Sequence, residues 1–532
     1  MNREMFDVDK PSYKNVEIFT LDSEEDVIEF LEAIQETTDL TESNRVRICH
    51  IFEMVQYPFT VIFEREYVDK LYRDTYYAYF ASKHTQFAKN CKRLSFFQGY
   101  IKPEKFFEFD ENTEEVLQKY FVGICVIKPI KVGKIGRTLF DPTKLKIENS
   151  YVRTTRFEFI IMGHNLSINA FPYSSQDSET MTCAETTVWS ILEYFGTRYS
   201  EYRTVLPSQL ISELERISQE RILPSRGLDY YKVSELLKIF GFSPRLYARS
   251  AFEKNQNPDE GFKKIFHYYV ESGIPLAIGV SGKSDGVDVK HSVVCIGHGG
   301  NQKDVKEVTS IAVGEYKYID SADLYNDYVI MDDNQRPYKI EPFNSLTKYD
   351  NSKIVVFAVP LDKGAFLEAN DASVLITEIF KHKDIGFSKI VPKINEKVDD
   401  DNPLVIRIYL TSSRKYRSFR AKHENMRDAK YFYSTFQFPK FIWVAEISTY
   451  ASYEQNKIYG EIVVDATSSR MSHIDSLIMI RYLDHVGYRM PNEGTKQVND
   501  RLRHRANSFT FPYVMYENNL KKSGGCSNNE KI

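Results

Sequence analysis

The chain has 532 residues, more than one ordinary domain contains, and its length predicts two to four domains. Hydrophobic residues make up 42% and charged residues 27%, which is typical of a soluble globular protein with ample core material. The formal net charge of −4 argues against nucleic acid as the main partner, since no basic excess dominates the sequence.

The spacing of the cysteines and the length of the apolar runs indicate the cellular compartment and whether the chain binds a structural metal or crosses a membrane. The six cysteines are scattered without a Cys-x-x-Cys pair, which argues against a disulfide framework or a structural zinc site. The first 14 residues mix acids and bases, and no apolar run approaches the ~18 residues of a membrane span. The sequence therefore predicts a cytoplasmic protein with reduced thiols, no membrane association, no cofactor and no catalytic metal.

Residues 1–150 are predicted to form a separate N-terminal α/β region. A helix should follow the capping residue Ser23, and an aromatic-rich helix is predicted later. The predicted strands are Val16–Leu21, Arg45–Phe52, Phe59–Phe63 and Phe121–Ile127, and the second helix is Glu66–Lys83. The basic, glycine-spaced stretch 133–138 lacks the Gly-Lys-Ser/Thr ending of a phosphate loop and predicts a turn.

Residues 151–392 are predicted to form the central domain, and its cysteine helix carries the most chemical information. Alternating residues over 151–175 predict a strand or hairpin that leads to a loop at Gln176. The next apolar stripe predicts an amphipathic helix beginning near Thr182 or Cys183 and ending at Gly196. At a helix N-terminus the unpaired N–H groups favour a thiolate. The Gln176 amide and the Cys183 N–H could together form an oxyanion hole.

The later part of this region places a histidine and an acid on neighbouring predicted strands. Gly282–Lys290 predicts a polar loop, after which His291 begins an apolar strand. Asp327–Met331 predicts a second strand, which ends in Asp332. The remaining predicted elements are helices over 208–220, 233–240 and 259–272 and a strand over 274–280.

Alternatives stay open for each of these residues. Asp320 and Asp333 compete with Asp332, which is favoured as the first polar residue after an apolar strand. His298 competes with His291, but residues seven apart on one strand face opposite sides. Ordinary structural roles would make Cys183 a small core residue and Asp332 part of a strand-end turn.

The C-terminal part is predicted to contain a linker, a module and a tail. Residues 393–403 predict a solvated linker, 404–515 a mostly-β module, and 516–532 a disordered tail. Strands are predicted at 404–411, 441–448 and 458–466. Glu446, Glu461 and Asp465 are interpreted as charged residues on the solvent face of strands rather than as a glycosidase pair.

The order of four motifs resembles the papain-like cysteine peptidase fold, especially the bacterial branch that processes bacteriocin leader peptides. The motifs are Gln176, Thr182-Cys183, Lys290-His291-Ser292-Val293-Val294 and Val329-Ile330-Met331-Asp332, within about residues 165–340. The resemblance implies an α+β domain in which Cys183 is the nucleophile and His291 the base. It also implies that Asp332 orients the imidazole and that Gln176 donates to the oxyanion. Two departures are the absence of papain's glycine pair before the cysteine and a longer histidine-to-acid connection.

These observations predict a cysteine hydrolase, a peptidase or isopeptidase, that acts on a protein or peptide substrate. The same triad would serve a deamidase or acyltransferase. An alternative outside this class is a catalytically silent papain-like scaffold that binds a protein partner through its flanking modules. The resemblance, together with the lack of targeting signals, implies a bacterial cytosol.

Overall fold

The computed structural model describes residues 2–3, 15–253, 257–383, 385–394, 396–469, 476–490, 502–505 and 509–524. Over these residues the protein combines helices with several separate β-sheets, and this confirms the predicted α+β class. Within the same residues no helix is both long enough and apolar enough to span a bilayer.

The first sheet has six antiparallel strands in sequence order. Its strands are β1 (Asn2–Arg3), β2 (Val16–Leu21), β3 (Phe59–Tyr67), β4 (Cys91–Gln98), β5 (Phe121–Ile127) and β6 (Ile135–Phe140). The connections contain the helices α1 (Glu24–Ala33), α2 (Gln35–Thr38), α3 (Glu42–Phe52), α4 (Lys70–Ala78) and α5 (Glu111–Tyr120). Ser23 caps α1 by accepting the Asp26 N–H at 3.2 Å, as the sequence predicts.

Three predictions for this region need correction. Residues 45–52 are the end of α3 rather than a strand, because Thr41 caps the helix and its buried residues recur with helical spacing. The aromatic helix is shorter than predicted, since Asp69 caps α4 by accepting the Tyr72 N–H at 3.0 Å. The stretch 133–138 is a turn only at its start, and from Ile135 it forms β6.

The central elements form a hairpin, a second sheet and the helices around it. The strands are β7 (Ser150–Val152), β8 (Thr155–Ile161), β9 (His164–Ala170), β10 (Arg245–Ala248), β11 (Leu276–Ser284), β12 (Val287–Gly299), β13 (Ile311–Val313), β14 (Tyr316–Asp320), β15 (Asp327–Met331), β16 (Lys339–Pro342) and β17 (Asp350–Val359). The helices are α6 (Cys183–Arg198), α7 (Pro207–Ile217), α8 (Tyr230–Ile239), α9 (Pro258–Glu271) and α10 (Ser321–Leu324). The second sheet is antiparallel, with the order β10-β17-β11-β12-β15-β16, and β7 also pairs with β12.

The remaining elements build a third sheet and its helices. The helices are α11 (Ala369–Lys381), α12 (Phe387–Ile390), α13 (Ser413–His423), α14 (Arg427–Thr435) and α15 (Tyr450–Glu454). The strands are β18 (Leu404–Ser412), β19 (Phe441–Thr449), β20 (Lys457–Ile458), β21 (Gly460–Asp465), β22 (Leu477–Tyr482), β23 (His485–Tyr488), β24 (Arg503–Arg505), β25 (Tyr513–Val514) and β26 (Lys521–Ser523). The third sheet has the order β13-β14-β18-β19-β21-β22-β23-β24, so it takes strands from both sides of residues 393–403.

A shared hydrophobic core holds the first sheet against the cysteine helix. Phe30 and Val61 of the first region belong to the same buried cluster as Val188 and Leu192 of α6. Burying such side chains contributes about 1.5–3 kcal/mol each. The cysteine helix is therefore supported by both the first and the second sheet.

The prediction of a disordered tail from residue 516 onward is wrong for residues 516–524. Tyr516 is fully buried and stacks on Tyr409 with ring centroids 5.3 Å apart. β26 pairs with β7, where the hydroxyl oxygens of Ser150 and Ser523 lie 3.0 Å apart. Residues 525–532 lie outside the described residues.

Glu446 and Glu461 are buried, at 1% and 0% exposure, so their predicted place on a solvent face is wrong. They lie opposite each other on β19 and β21, and Arg407 and Arg481 flank them on β18 and β22. Arg420 of α13 donates to both carboxylates at 2.6 Å. A buried carboxylate is tolerated when a guanidinium pairs with it, so this row of charges is a structural part of the third sheet.

Candidate active site

Cys183 is the first residue of α6, as the sequence predicts. The residues from Ala184 to Tyr194 are all buried, so packing fixes the helix over most of its length. Cys183 is partly exposed, whereas Cys91, Cys125 and Cys295 are buried. The cysteine thus combines a rigid support with contact to solvent.

Gly196 lies inside α6 and does not end the helix, which contradicts the predicted boundary. A Cβ at this position would lie 2.3 Å from the main-chain carbon of Arg203. The glycine is therefore explained by the close approach of the following loop rather than by helix termination.

Asp177 organises the loop that leads into the cysteine helix. Its carboxylate accepts the N–H groups of Glu179, Thr180 and Met181 at 2.7–2.9 Å. Its own N–H donates to the Met181 carbonyl at 2.9 Å. Sequence analysis missed this residue, although an aspartate followed by short polar residues is the signal of an Asx-type turn.

His291 lies within β12 rather than at the head of a strand. The residues predicted as a polar loop are the ends of β11 and β12, which pair continuously up to Ser284 and Val287. Asp285 and Gly286 make the tight connection, with φ values of 51° and 80°. An Asp-Gly pair is a known signal for a two-residue hairpin turn, and the exposed end of this hairpin explains its polar residues.

Strand pairing brings His291 and Asp332 together. β12 and β15 are adjacent, with Val294 opposite Met331, the residue before Asp332. His291 Nε2 lies 2.8 Å from Asp332 Oδ1, and both side chains are buried. Asp332 also accepts the Asn334 N–H at 2.9 Å and the Gln335 amide at 2.8 Å. The carboxylate is thus fixed, and it holds the imidazole through one ring nitrogen.

The electrostatics favour a charged imidazole next to an ionised carboxylate. Burial alone would lower the pKa of His291, but hydrogen bonds to Asp332 and to Cys183 and the nearby carboxylates raise this pKa well above its ordinary value. Burial would raise the pKa of Asp332, but the bonds from His291 and Gln335 lower it below its ordinary value. His291 and Asp332 therefore form a charged pair, and Cys183 adds to the shift of the ring's pKa.

Asp333 is a second carboxylate beside the same ring. Its Oδ1 lies 3.5 Å from His291 Nε2, and within the described part of the chain neither of its carboxylate oxygens has a hydrogen-bond partner. Burial raises the pKa of Asp333 to about 7, against the opposing effect of His291. Arg47 of α3 donates to the main-chain carbonyl of Asp333, which links the first region to this turn.

Asp320 and His298, the alternatives left open by the sequence, make other contacts. Asp320 caps α10 by accepting the Ala322 N–H at 2.9 Å, and it also accepts the Tyr268 hydroxyl. Nε2 of His298 lies 3.2 Å from Glu271 Oε2. Each residue thus has a structural partner of its own.

Gln176 is tied to the turn that follows Asp332. Its side-chain N–H donates to Asn334 Oδ1 at 2.9 Å, so the loop before the cysteine helix and the acid turn are joined directly. An amide carries two N–H donors, and this bond uses one of them. The predicted approach of the Gln176 amide to the thiol stays a prediction.

Two tyrosines that the sequence does not single out contact His291 and its strand neighbour Ser292. Burial is the main cause that raises the pKa of Tyr230 and of Tyr349, and the charge of Cys183 adds to both shifts. The Tyr349 ring meets His291 edge to face, with centroids 5.5 Å apart. The Tyr230 hydroxyl lies 3.0 Å from Ser292 Oγ, beside His291 on β12. Tyrosine is too common in this chain, at 36 residues, for either to stand out from sequence.

No known protein-family model matches the chain, and a comparison with curated proteins found no matching sequence. The chemistry of the site is therefore inferred from its own geometry.

Proposed function

We propose that the protein is a cysteine hydrolase that cleaves a peptide or isopeptide bond through Cys183, His291 and Asp332. The observation that carries this proposal is a partly exposed cysteine at the start of a buried helix, together with a histidine whose Nε2 is held by Asp332 and whose pKa Cys183 helps to raise. Thiol-dependent acyl transfer requires a nucleophile, a base and a group that orients the base. A papain-like architecture for this part of the chain belongs to the same proposal.

In the proposed reaction His291 takes the thiol proton, and the thiolate attacks the substrate carbonyl carbon. Because Nε2 is bonded to Asp332, the proton is received at Nδ1. The negative charge that forms on the carbonyl oxygen is stabilised by the Cys183 N–H and by the Gln176 amide. The proton passes from His291 to the leaving amine, and a water molecule activated by His291 then hydrolyses the thioester.

The proposal is tested by incubating the full chain with a library of short peptides and identifying the products by mass spectrometry. We expect new peptide termini with the wild-type protein and none with Cys183→Ala. Release of ammonia from intact peptides would instead support the deamidase alternative. Cleavage that persists in Cys183→Ala would contradict the proposal.

Gln176→Ala should lower kcat by about 10²–10³-fold, the usual loss for one oxyanion donor, with little change in KM. Steady-state kinetics on a cleaved peptide measures both constants. Asn334→Ala is the matched control, because it removes only the group that accepts from Gln176. We expect Asn334→Ala to lower kcat less than Gln176→Ala does. A normal kcat with a raised KM would instead place Gln176 in substrate recognition.

Asp332→Asn should lower kcat/KM by about 10- to 100-fold, less than the roughly 10⁴-fold loss known for a serine triad. The loss is smaller because the thiolate–imidazolium pair forms without full help from the acid and asparagine can still orient a ring. Asp332→Ala, Asp333→Ala and Asp320→Ala are compared side by side, with circular dichroism as the check on folding. We expect Asp332→Ala to be the most damaging. If Asp320→Ala alone were damaging, the assignment of the acid would be wrong.

A further inference from the structure

Three potential ligand atoms converge beside the imidazole ring. One ring nitrogen of His291 and one carboxylate oxygen each from Asp332 and Asp333 lie within 4.8 Å of one another. Nε2 is 2.8 Å from the first carboxylate and 3.5 Å from the second. Tetrahedral zinc, with bonds of about 2.0–2.2 Å, sets its ligands roughly 3.3–3.6 Å apart. Small side-chain movements would therefore complete such a set.

The carboxylates of Asp332 and Asp333 differ in the hydrogen bonds that they accept. Asp332 accepts from His291, from the Asn334 main chain and from Gln335. Asp333 is only 5% exposed, and neither of its oxygens has a hydrogen-bond partner among the described residues. A buried carboxylate without donors is costly. Since Nε2 carries a single proton and Asp332 takes it, the second carboxylate is left with unused capacity for a cation.

The nearby basic side chains are engaged elsewhere. Arg47 donates to the main-chain carbonyl of Asp333 and not to its carboxylate. Lys128 donates to the Ser175 carbonyl at 3.1 Å. Both reduce the negative potential from a distance, but neither occupies the space between the imidazole and the two carboxylates.

From these observations we propose that His291, Asp332 and Asp333 form an inhibitory binding site for a divalent cation of the Zn²⁺ class. A mixed imidazole and carboxylate donor set suits zinc, and three protein ligands leave one position for water. The inhibitory part rests on the proposed thiol function. Zinc on Nε2 displaces its proton and draws Asp332 away from its orienting role, so the ring becomes a poorer base for Cys183.

The test is isothermal titration calorimetry of the full chain with zinc chloride, which does not depend on activity. We expect one zinc per chain for the wild type and for Cys183→Ala. Asp333→Asn should bind at least about tenfold more weakly, because even outer-shell partners cost 10–100-fold in metal affinity. Asp327→Asn, at the other end of β15, is the matched control and should bind like the wild type. Since the Asp333 carboxylate has no hydrogen-bond partner among the described residues, Asp333→Asn should keep the fold.

A second measurement uses the wild-type protein alone, in which one equivalent of zinc should slow both peptide cleavage and Cys183 alkylation, and EDTA should restore them. Equal zinc affinity in Asp333→Asn and wild type, or binding that is lost only in Cys183→Ala, would overturn the site. If zinc binds as expected but no thiol-dependent cleavage is found, the hydrolase proposal fails and the cation site stands. If cleavage is found without zinc binding, the cation-site proposal fails and the hydrolase proposal stands.

Discussion

Cys183→Ala should abolish turnover, with a loss of at least about 10⁴-fold, while the fold stays intact. The large effect follows because the proposed covalent intermediate forms on the Cys183 sulfur, which a methyl group cannot replace. Replacing a partly exposed thiol with a methyl group removes little buried contact, so the free energy of unfolding should change by about 1 kcal/mol or less. Product formation and a urea unfolding curve measure the two effects.

Cys49→Ala is the control for this variant. Cys49 lies on α3 and is the other partly exposed cysteine among the described residues. Its replacement should leave turnover unchanged, because the proposed reaction does not use it. Wild-type turnover in Cys183→Ala would show that the nucleophile is a different group.

Arg420→Met should destabilise the protein by about 3–5 kcal/mol, the usual cost of removing one partner of a buried ion pair. Arg420 is 1% exposed and donates to the buried carboxylates of Glu446 and Glu461, each at 2.6 Å. Methionine fills a similar space but leaves both carboxylates short of a donor. Chemical denaturation followed by circular dichroism measures the change.

Arg414→Met is the matched control for that experiment. Arg414 lies on the same helix but is exposed, so the expected change is within about 0.5 kcal/mol. A similar loss in both variants would mean that helix propensity, and not the buried ion pairs, decides the stability of α13.

The cysteine helix could be predicted because its apolar stripe and polar leader are local features. Asp332 could be selected for a similar reason, since it is the first polar residue after an apolar strand. The position of His291 within a strand does not follow from the sequence because most of residues 283–290 are exposed in a long hairpin, and their polarity is also typical of a loop. The Asp-Gly pair is the one local signal that distinguishes a hairpin from a loop here.

Buried charges and long-range strand pairing could not be predicted from local patterns. Glu446 and Glu461 look like solvent-facing residues until β18, β19, β21 and β22 are placed side by side and α13 covers them. The parallel pairing of β14 with β18 joins segments far apart in the chain. The sequence offers Asp333 only as an alternative acid, because its burial without a hydrogen-bond donor among the described residues depends on the surrounding fold.

The rate of Cys183 alkylation by iodoacetamide at pH 6, followed by mass spectrometry, tests the central claim most directly. The thiolate–imidazolium pair of the proposed mechanism would make Cys183 the faster nucleophile, whereas burial and Glu53 raise the pKa of Cys49. We predict that Cys183 reacts at least about tenfold faster than Cys49 and that His291→Ala removes the difference. Equal rates for the two cysteines, or a Cys183 rate unchanged in His291→Ala, would contradict a thiol activated by histidine.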